Sequence, residues 1–280
     1  RPQQGLNKLA ARVLEAMDQT LAAVAPDWVL VQGDTTSAMA SALAAFQRGV
    51  RVAHVEAGLR TGDLRGPFPE EANRLLIDRL ADLLFAPTES AQTALLREGI
   101  AADRIHVTGN TGVDALQRIG ARLGDVAQRS TVLVTVHRRE SFGEPLREIV
   151  AAIAELADRF PWASFFIPVH RNPEVSEPLR RGLGGIPNVE LSEPLDYLDL
   201  VRLLMSCRLV LTDSGGLQEE APTFGKPVLV LRDKTERPEG ITEGVALLVG
   251  TRRERIVAET SRLLENEAAW AALARSVQPY

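Results

Sequence analysis

The stretch "CRLVLTDSGGLQEEAP" (residues 207–222) decides the fold. "CRLVLT" (207–212) is an apolar run of strand length, "DSGG" can turn the chain, and "LQEEA" is helix-forming. A plain turn needs the glycines but no helix directly behind them. A phosphate site needs both. Ser214, Gly215 and Gly216 can turn the backbone so that N–H groups point outward, and a helix starting there adds partial positive charge at its first turn. The same residues also read as a Ser-Gly-Gly turn with an ordinary helix cap. Glu219 and Glu220 follow within the helix. A carboxylate there can accept hydrogen bonds from a ribose 2′,3′-diol, or the pair can form a solvated helix face.

Outward from this unit the chain keeps alternating. Apolar periodicity predicts a helix over 6–24, a strand over 28–32, and a helix from Thr35 to Gly49. A strand over 50–56, a helix over 71–81, a strand over 83–88, a helix over 89–99 and a strand over 104–109 follow. Residues 110–130 are helical and then polar, and make the best domain boundary. The pattern restarts with a strand over 131–137, a helix over 144–159 and strands over 163–169 and 189–191. A helix over 197–206, the strand–turn–helix unit at 207–224 and strands over 227–231 and 245–250 come next. A final helix spans 252–277 with a break near Glu267. Short apolar strands between helices of ten or more residues argue for parallel sheets covered on both faces. The expected fold class is α/β, with two Rossmann-like domains. The expected divisions are 1–115, a linker at 116–130, a second domain at 131–265 and a terminal segment at 266–280. A ligand cleft between the two domains is expected, at strand C-terminal ends.

Composition narrows the function classes. The chain has 280 residues, 45% of them hydrophobic, with a net charge of −5. That disfavours generic binding to nucleic acid or anionic membrane, though not a local basic pocket. One cysteine, Cys207, rules out a disulfide framework and a cysteine-rich metal site. No signal peptide or bilayer-length apolar run is evident, so a cytoplasmic protein is the expectation. The chain lacks an initiator Met and enters a helix by residue 6, as a fragment of a longer protein would.

The strand ends carry the chemistry. Asp34 follows the first strand, with Thr35 or Thr36 able to cap the next helix. Glu56 ends the second strand and opens a loop of glycine, arginine and acid, "AGLRTGDLRGPFPE", that returns at Glu70. Neighbouring strand ends of a parallel sheet share one edge, which can bring Asp34 and Glu56 toward one ligand. Clustered carboxylates shift one another's proton affinity and so prepare an acid and a base. His137 ends the first strand of the second half, followed by Arg138, and His170 holds the same position after a later strand. A histidine there can serve packing and capping or chemistry. His54 and His106 fall inside strands and are expected in the core. The histidines lack a His-Glu-x-x-His spacing, and no Gly-x-x-x-x-Gly-Lys-Ser/Thr or Gly-x-Gly-x-x-Gly loop occurs, so a metal site, an ordinary ATPase and a dehydrogenase are not indicated.

The segments "QGDTTS", "HVEAGLRTGD", "PFPEEANR", "VTGNTGVDAL", "HRRESFG", "PVHRNP" and "LTDSGGLQEEAPTFGKPVLVLRDKTERPE" together resemble the non-hydrolysing UDP-N-acetylglucosamine 2-epimerases. They run through nearly the whole chain and are jointly specific. The resemblance implies the two-domain arrangement of the glycosyltransferase-B type. It implies C2 epimerisation of UDP-N-acetylglucosamine to UDP-N-acetylmannosamine for envelope polysaccharides, by elimination and re-addition of UDP through 2-acetamidoglucal. No cofactor or metal is implied; UDP and the UDP-sugar are the ligands, and a homodimer is the expected assembly. Asp34, Glu56 and Glu70 match the family's acid/base carboxylates, and His137 matches its diphosphate-side histidine. Ser214, with Gly215 and Gly216, matches the diphosphate-binding turn, and Glu220 the ribose-binding glutamate. Arg138 and His170 match positions at or near its ligand sites. The resemblance also implies an opening strand and a "GTRPE"-type loop that do not occur here. Residues 1–115 are therefore expected to form an incomplete first domain, and the terminal segment to return toward it. Hydrolytic release of UDP, and a UDP-sugar sensor without turnover, are the competing readings.

Overall fold

A computed structural model of the chain describes residues 5–277, 279 and 280. The chain divides between Asn110 and Thr111 into two compact units, with Tyr280 grouped with the first. Each is a parallel α/β unit of the expected class.

The first unit runs α1 (Leu6–Val24), β1 (Trp28–Gln32), α2 (Thr36–Gln47), β2 (Arg51–Val55), α3 (Glu70–Leu80), β3 (Leu83–Ala86), α4 (Glu89–Arg97) and β4 (Ile105–Val107). Its strands are parallel and lie in chain order, β1-β2-β3-β4. Thr35 and Thr88 start α2 and α4, their hydroxyls accepting from the amides of Ala38 and Ala91 at 3.1 Å. Val31, Val52, Leu84 and Ile105 from the sheet meet Ala42, Ala45, Ile77 and Leu95 from the helices in one core.

The second unit runs α5 (Thr111–Leu123), β5 (Thr131–Thr135), α6 (Glu144–Arg159), β6 (Ser164–Pro168), α7 (Pro173–Leu183), β7 (Val189–Ser192), α8 (Tyr197–Ser206), β8 (Leu209–Thr212), α9 (Gly215–Thr223), β9 (Val228–Val230), α10 (Glu239–Thr242), β10 (Ala246–Leu248), α11 (Arg253–Glu265) and α12 (Glu267–Leu273). Its six parallel strands are ordered β10-β9-β8-β5-β6-β7. From β5 the chain winds outward through β6 and β7. It then returns to lay β8 on the other side of β5 and winds outward again, which is the doubly wound order. Strand side chains alternate between two cores. Val132, Val134, Leu209 and Leu211 face α6, α7 and α11, while Leu133 and Val210 face α5, α8 and α9. Both faces are covered, as uninterrupted apolar strands require.

Three expectations need correction. Residues 116–130 are not a linker between bodies: α5 lies within the second unit and buries Leu116 against α8 and α9. Helix α7 is missing from the expected elements, and it carries two prolines, Pro173 and Pro178. Pro173 occupies the first helical position, where its missing N–H costs nothing, and Asn172 caps that end by accepting from the Glu174 amide at 3.2 Å. His106 is exposed on β4 rather than buried. The break near Glu267 has its own cap, Asn266, which accepts from the Ala269 amide at 3.0 Å. Helix α12 then packs on the second unit, where the Trp270 indole donates to the Arg208 carbonyl at 2.8 Å. Among the described residues no helix is long and apolar enough to cross a membrane.

Candidate functional site

Strands β5 and β8 are neighbours whose onward connections leave in opposite directions, so a crevice opens at their C-terminal ends. His137 follows β5 and Asp213 follows β8. Asp213 is fully buried, yet it is an organiser rather than a ligand group. Its carboxylate accepts from the amides of His137 (2.9 Å) and Arg138 (2.9 Å) and from the Ser141 hydroxyl (3.0 Å). Its other oxygen lies 3.1 Å from His137 Nδ1. Burial alone would raise the Asp213 pKa; the His137 ring and the loop amides outweigh it and hold the carboxyl below its usual value.

A cavity of about 330 Å³ opens at this edge, walled by His137, His170, Ser214, Gly216, Tyr197 and Glu220, with Pro168, Pro194, Leu195 and Leu217 as its apolar side. His137 and His170 stack there with ring centroids 6.0 Å apart. Helix α9 starts at Gly215, so Ser214 and the first amides of the helix face the cavity mouth. The phosphate-type reading of the "DSGG" turn thus has the helix start it needs.

The two adjacent glutamates turn out to differ. Glu219 is buried and ion-paired to Arg237 at 2.5 Å. Arg237 also pairs with Glu236, which pairs with Arg232 at 2.9 Å, which reaches Glu140 at 2.5 Å. Gly215 rests on this lattice: a Cβ there would come within 2.6 Å of the Arg237 guanidinium. Glu220 instead lines the cavity and accepts from the Tyr197 hydroxyl at 3.0 Å. Burial, reinforced by the neighbouring Glu219 charge, pushes its carboxyl up to about 7, although the Tyr197 bond pulls the other way. Burial and the Glu220 charge push the Tyr197 phenol upward as well. Arg138 places its guanidinium 3.9 Å from Glu236, on the lattice side.

In the first unit β1 and β2 pair in register to Gln32 and Val55, so Asp34 and Glu56 leave adjacent strand ends. The Glu56 carboxylate lies 3.6 Å from where a Cβ on Gly33 would stand. Glu70 is the first residue of α3. Helix α3 holds this region together through one buried face. Arg74 ion-pairs with Asp34, Asn73 Nδ2 donates to the Asp34 carbonyl at 2.9 Å, and Glu71 accepts from the amides of Thr61 (3.0 Å) and Gly62 (2.9 Å). Asp78, further along that face, accepts from Arg60 at 2.7 Å and from the Gly58 amide at 3.3 Å. The structure therefore sets Asp34 and Glu56 at adjacent strand ends of the first unit and Glu70 at the start of α3. It gathers His137, His170, Ser214, Gly216 and Glu220 in the second. Among the described residues no group of three His, Cys, Asp or Glu is set to hold a metal ion.

Sequence reasoning missed Tyr197, Arg74, Glu71, Asp78 and the Arg232–Glu236–Arg237 lattice. Tyr197 is 23 positions from its partner, and no local pattern points to it. The "RDKTER" segment did carry a signal: alternating charges directly after the apolar strand β9, where solvent cannot satisfy all of them.

The sequence profile of the family described as UDP-N-acetylglucosamine 2-epimerase matches residues 1–280. The UDP-N-acetylglucosamine 2-epimerase of Salmonella typhimurium is 50% identical over all of this chain and 78% of its own length. The UDP-GlcNAc 2-epimerase of Neisseria meningitidis, solved bound to UDP-GlcNAc, superposes with a TM-score of 0.96 at 42% identity. That match covers 100% of this chain and 79% of the other. The Methanocaldococcus jannaschii enzyme, solved with UDP-GlcNAc and UDP, gives a TM-score of 0.84 at 33% identity over 97% of this chain and 80% of its own. The chain belongs to the UDP-N-acetylglucosamine 2-epimerase family, a family of isomerases.

Proposed function

We propose that this chain interconverts UDP-N-acetylglucosamine and UDP-N-acetylmannosamine without net hydrolysis. The observation that carries the reading is the cavity at the β5/β8 switch point, where the start of α9, His137 and Glu220 line one space. The first amides of α9 and Ser214 suit a diphosphate. Glu220, beside Tyr197, suits a ribose diol, and the apolar side of the cavity suits a uracil ring.

Carbon C2 has no adjacent carbonyl, so direct proton removal there is very slow. Loss of the C2 proton together with cleavage of the C1–O bond leaves 2-acetamidoglucal and UDP. Re-addition of UDP, with a proton delivered to the opposite face of C2, completes the inversion. One carboxylate among Asp34, Glu56 and Glu70 takes the proton and another group delivers a different one to the opposite face. His137 and the α9 amides stabilise the charge that gathers on the departing diphosphate. Atoms balance with no redox partner.

Turnover in D2O tests the proposal. Deuterium at C2 of both UDP-sugars supports it. Stoichiometric UDP with free N-acetylmannosamine assigns the hydrolysing reaction instead, and tight UDP binding without turnover assigns a sensor.

A further inference from the structure

His54 is the penultimate residue of β2, and its side chain is fully buried. The ring has polar work on both sides. Nδ1 lies 2.5 Å from Asp78 Oδ1, and Nε2 lies 3.0 Å from the Gly33 carbonyl. A carbonyl can only accept, so Nε2 carries a hydrogen. Gly33 immediately precedes Asp34, and its own N–H donates to the Val55 carbonyl at 3.0 Å. Two successive residues of β2 thus hold Gly33 from both sides, Val55 accepting from its N–H through the backbone and His54 donating to its carbonyl, which belongs to the peptide leading into Asp34.

Gly33 sits where placement is demanding. Gly33 has φ +70° and Glu56, a non-glycine, has φ +68°, so left-handed residues face each other across the ends of β1 and β2. The Glu56 carboxylate lies within van der Waals reach of the Gly33 Cα region. Beyond the ring, Asp78 passes the linkage to Gly58 and to Arg60, and Arg60 grips Glu98 at 2.6 and 2.7 Å. A leucine or phenylalanine could fill comparable space, but neither could reach both acceptors.

We propose that His54 is a positioning residue for proton transfer: its Nε2–H, through the Gly33 carbonyl, fixes where Asp34 and Glu56 stand relative to each other. This rests on the reading of Asp34 and Glu56 as proton-transfer groups. His54 itself touches no reacting atom.

The two amide replacements divide its bonds. A glutamine amide reaches the place of Nε2, and an asparagine amide reaches that of Nδ1. His54→Gln should keep kcat within about threefold, whereas His54→Asn should lower kcat roughly ten- to hundredfold, the scale of an ångström-level misplacement remote from the chemistry. UDP affinity, set in the second unit, should stay within about twofold in both, so the loss falls on kcat and not on binding. Equal kcat in the two variants overturns the proposal. In the wild-type protein, a ¹⁵N–¹H correlation should show Nε2 protonated; a bare Nε2 overturns it even if a variant fails to fold. Asp34→Asn and Glu56→Gln report separately on the underlying reading. Near-normal turnover in both removes the proton-transfer assignment. Slow turnover in both, with His54→Asn at full speed, removes His54 alone.

Discussion

Glu220 offers a sharp test because its burial and its proposed ribose role oppose each other. Its carboxyl is pushed up to about 7, mainly by burial and secondarily by the Glu219 charge, against the pull of the Tyr197 hydroxyl. A ribose diol donates two hydrogen bonds and needs the ionised form. If only that form binds, apparent affinity scales with the ionised fraction: about one-tenth at pH 6 and nine-tenths at pH 8, so the Kd should weaken about tenfold on going from pH 8 to pH 6. UDP-N-acetylglucosamine is the better ligand, because its diphosphate is esterified at both ends and holds its charge over that range. Glu220→Gln should bind more weakly at pH 8, by roughly 1.5–3 kcal/mol of lost charge-assisted bonding, and should lose this part of the pH slope. Any other pH-dependent contribution is common to both proteins and cancels in the comparison.

Stability should move the other way. A carboxyl raised in the folded state contributes stability that is full below its unfolded value near 4.5 and is lost as pH rises through about 7. At pH 8 the ionised side chain therefore costs the fold up to about 3 kcal/mol, and Glu220→Gln should raise Tm there while weakening ligand binding. Calorimetric titration at pH 6, 7 and 8, with thermal unfolding of the same samples, decides it. A variant with the wild-type pH slope, or with a lowered Tm at pH 8, refutes the reasoning.

Asp213→Asn should destabilise by roughly 2–4 kcal/mol, since a buried NH2 would then face loop donors. Because the Asp213 pKa is held low, its contribution is present above the unfolded value near 3.8 and is lost as pH falls through the folded value. Acid unfolding below about pH 4 should therefore be less steep in the variant. Gly215→Ala should cost roughly 1–3 kcal/mol, as its Cβ would meet an Arg237 guanidinium that Glu219 and Glu236 hold in place. Gly216→Ala is the control: its nearest neighbour is Ser214 Oγ at 4.0 Å, so equal Tm losses in the two variants would contradict the packing argument.

The second unit was largely legible in the sequence because its signals are local. Apolar runs such as "TVLVTV" and "CRLVLT" are buried on both faces, and the turn "DSGG" sits directly between a strand and a helix. Strand order was not legible: nothing local says that β8 returns beside β5, although that return creates the crevice. The alternative of a solvated glutamate pair fails for a reason that no local pattern shows. Which of Glu219 and Glu220 is buried depends on Arg237, held on a loop beyond β9.

Helix α3 shows most clearly why the candidate site of the first unit resisted reading. "EEANRLLIDRL" looks like a surface helix, because it carries as many charged residues as apolar ones. Glu71, Arg74 and Asp78 nevertheless recur at i, i+3 and i+7, the spacing of a buried stripe, and all three are buried. Periodicity measured on apolar residues alone cannot see a core face made of charges. The physical reason for such a face lies in what it holds. Asp34, the 58–62 backbone and His54 present a carboxylate, bare N–H groups and an imidazole, and hydrocarbon would leave each unsatisfied. A charged helix face answers all of them in one rigid element, at a desolvation cost that apolar packing would avoid. Under the proposed reaction Asp34 gains from that rigidity, since the ion pair that fixes its carboxylate comes from a helix rather than from a loop.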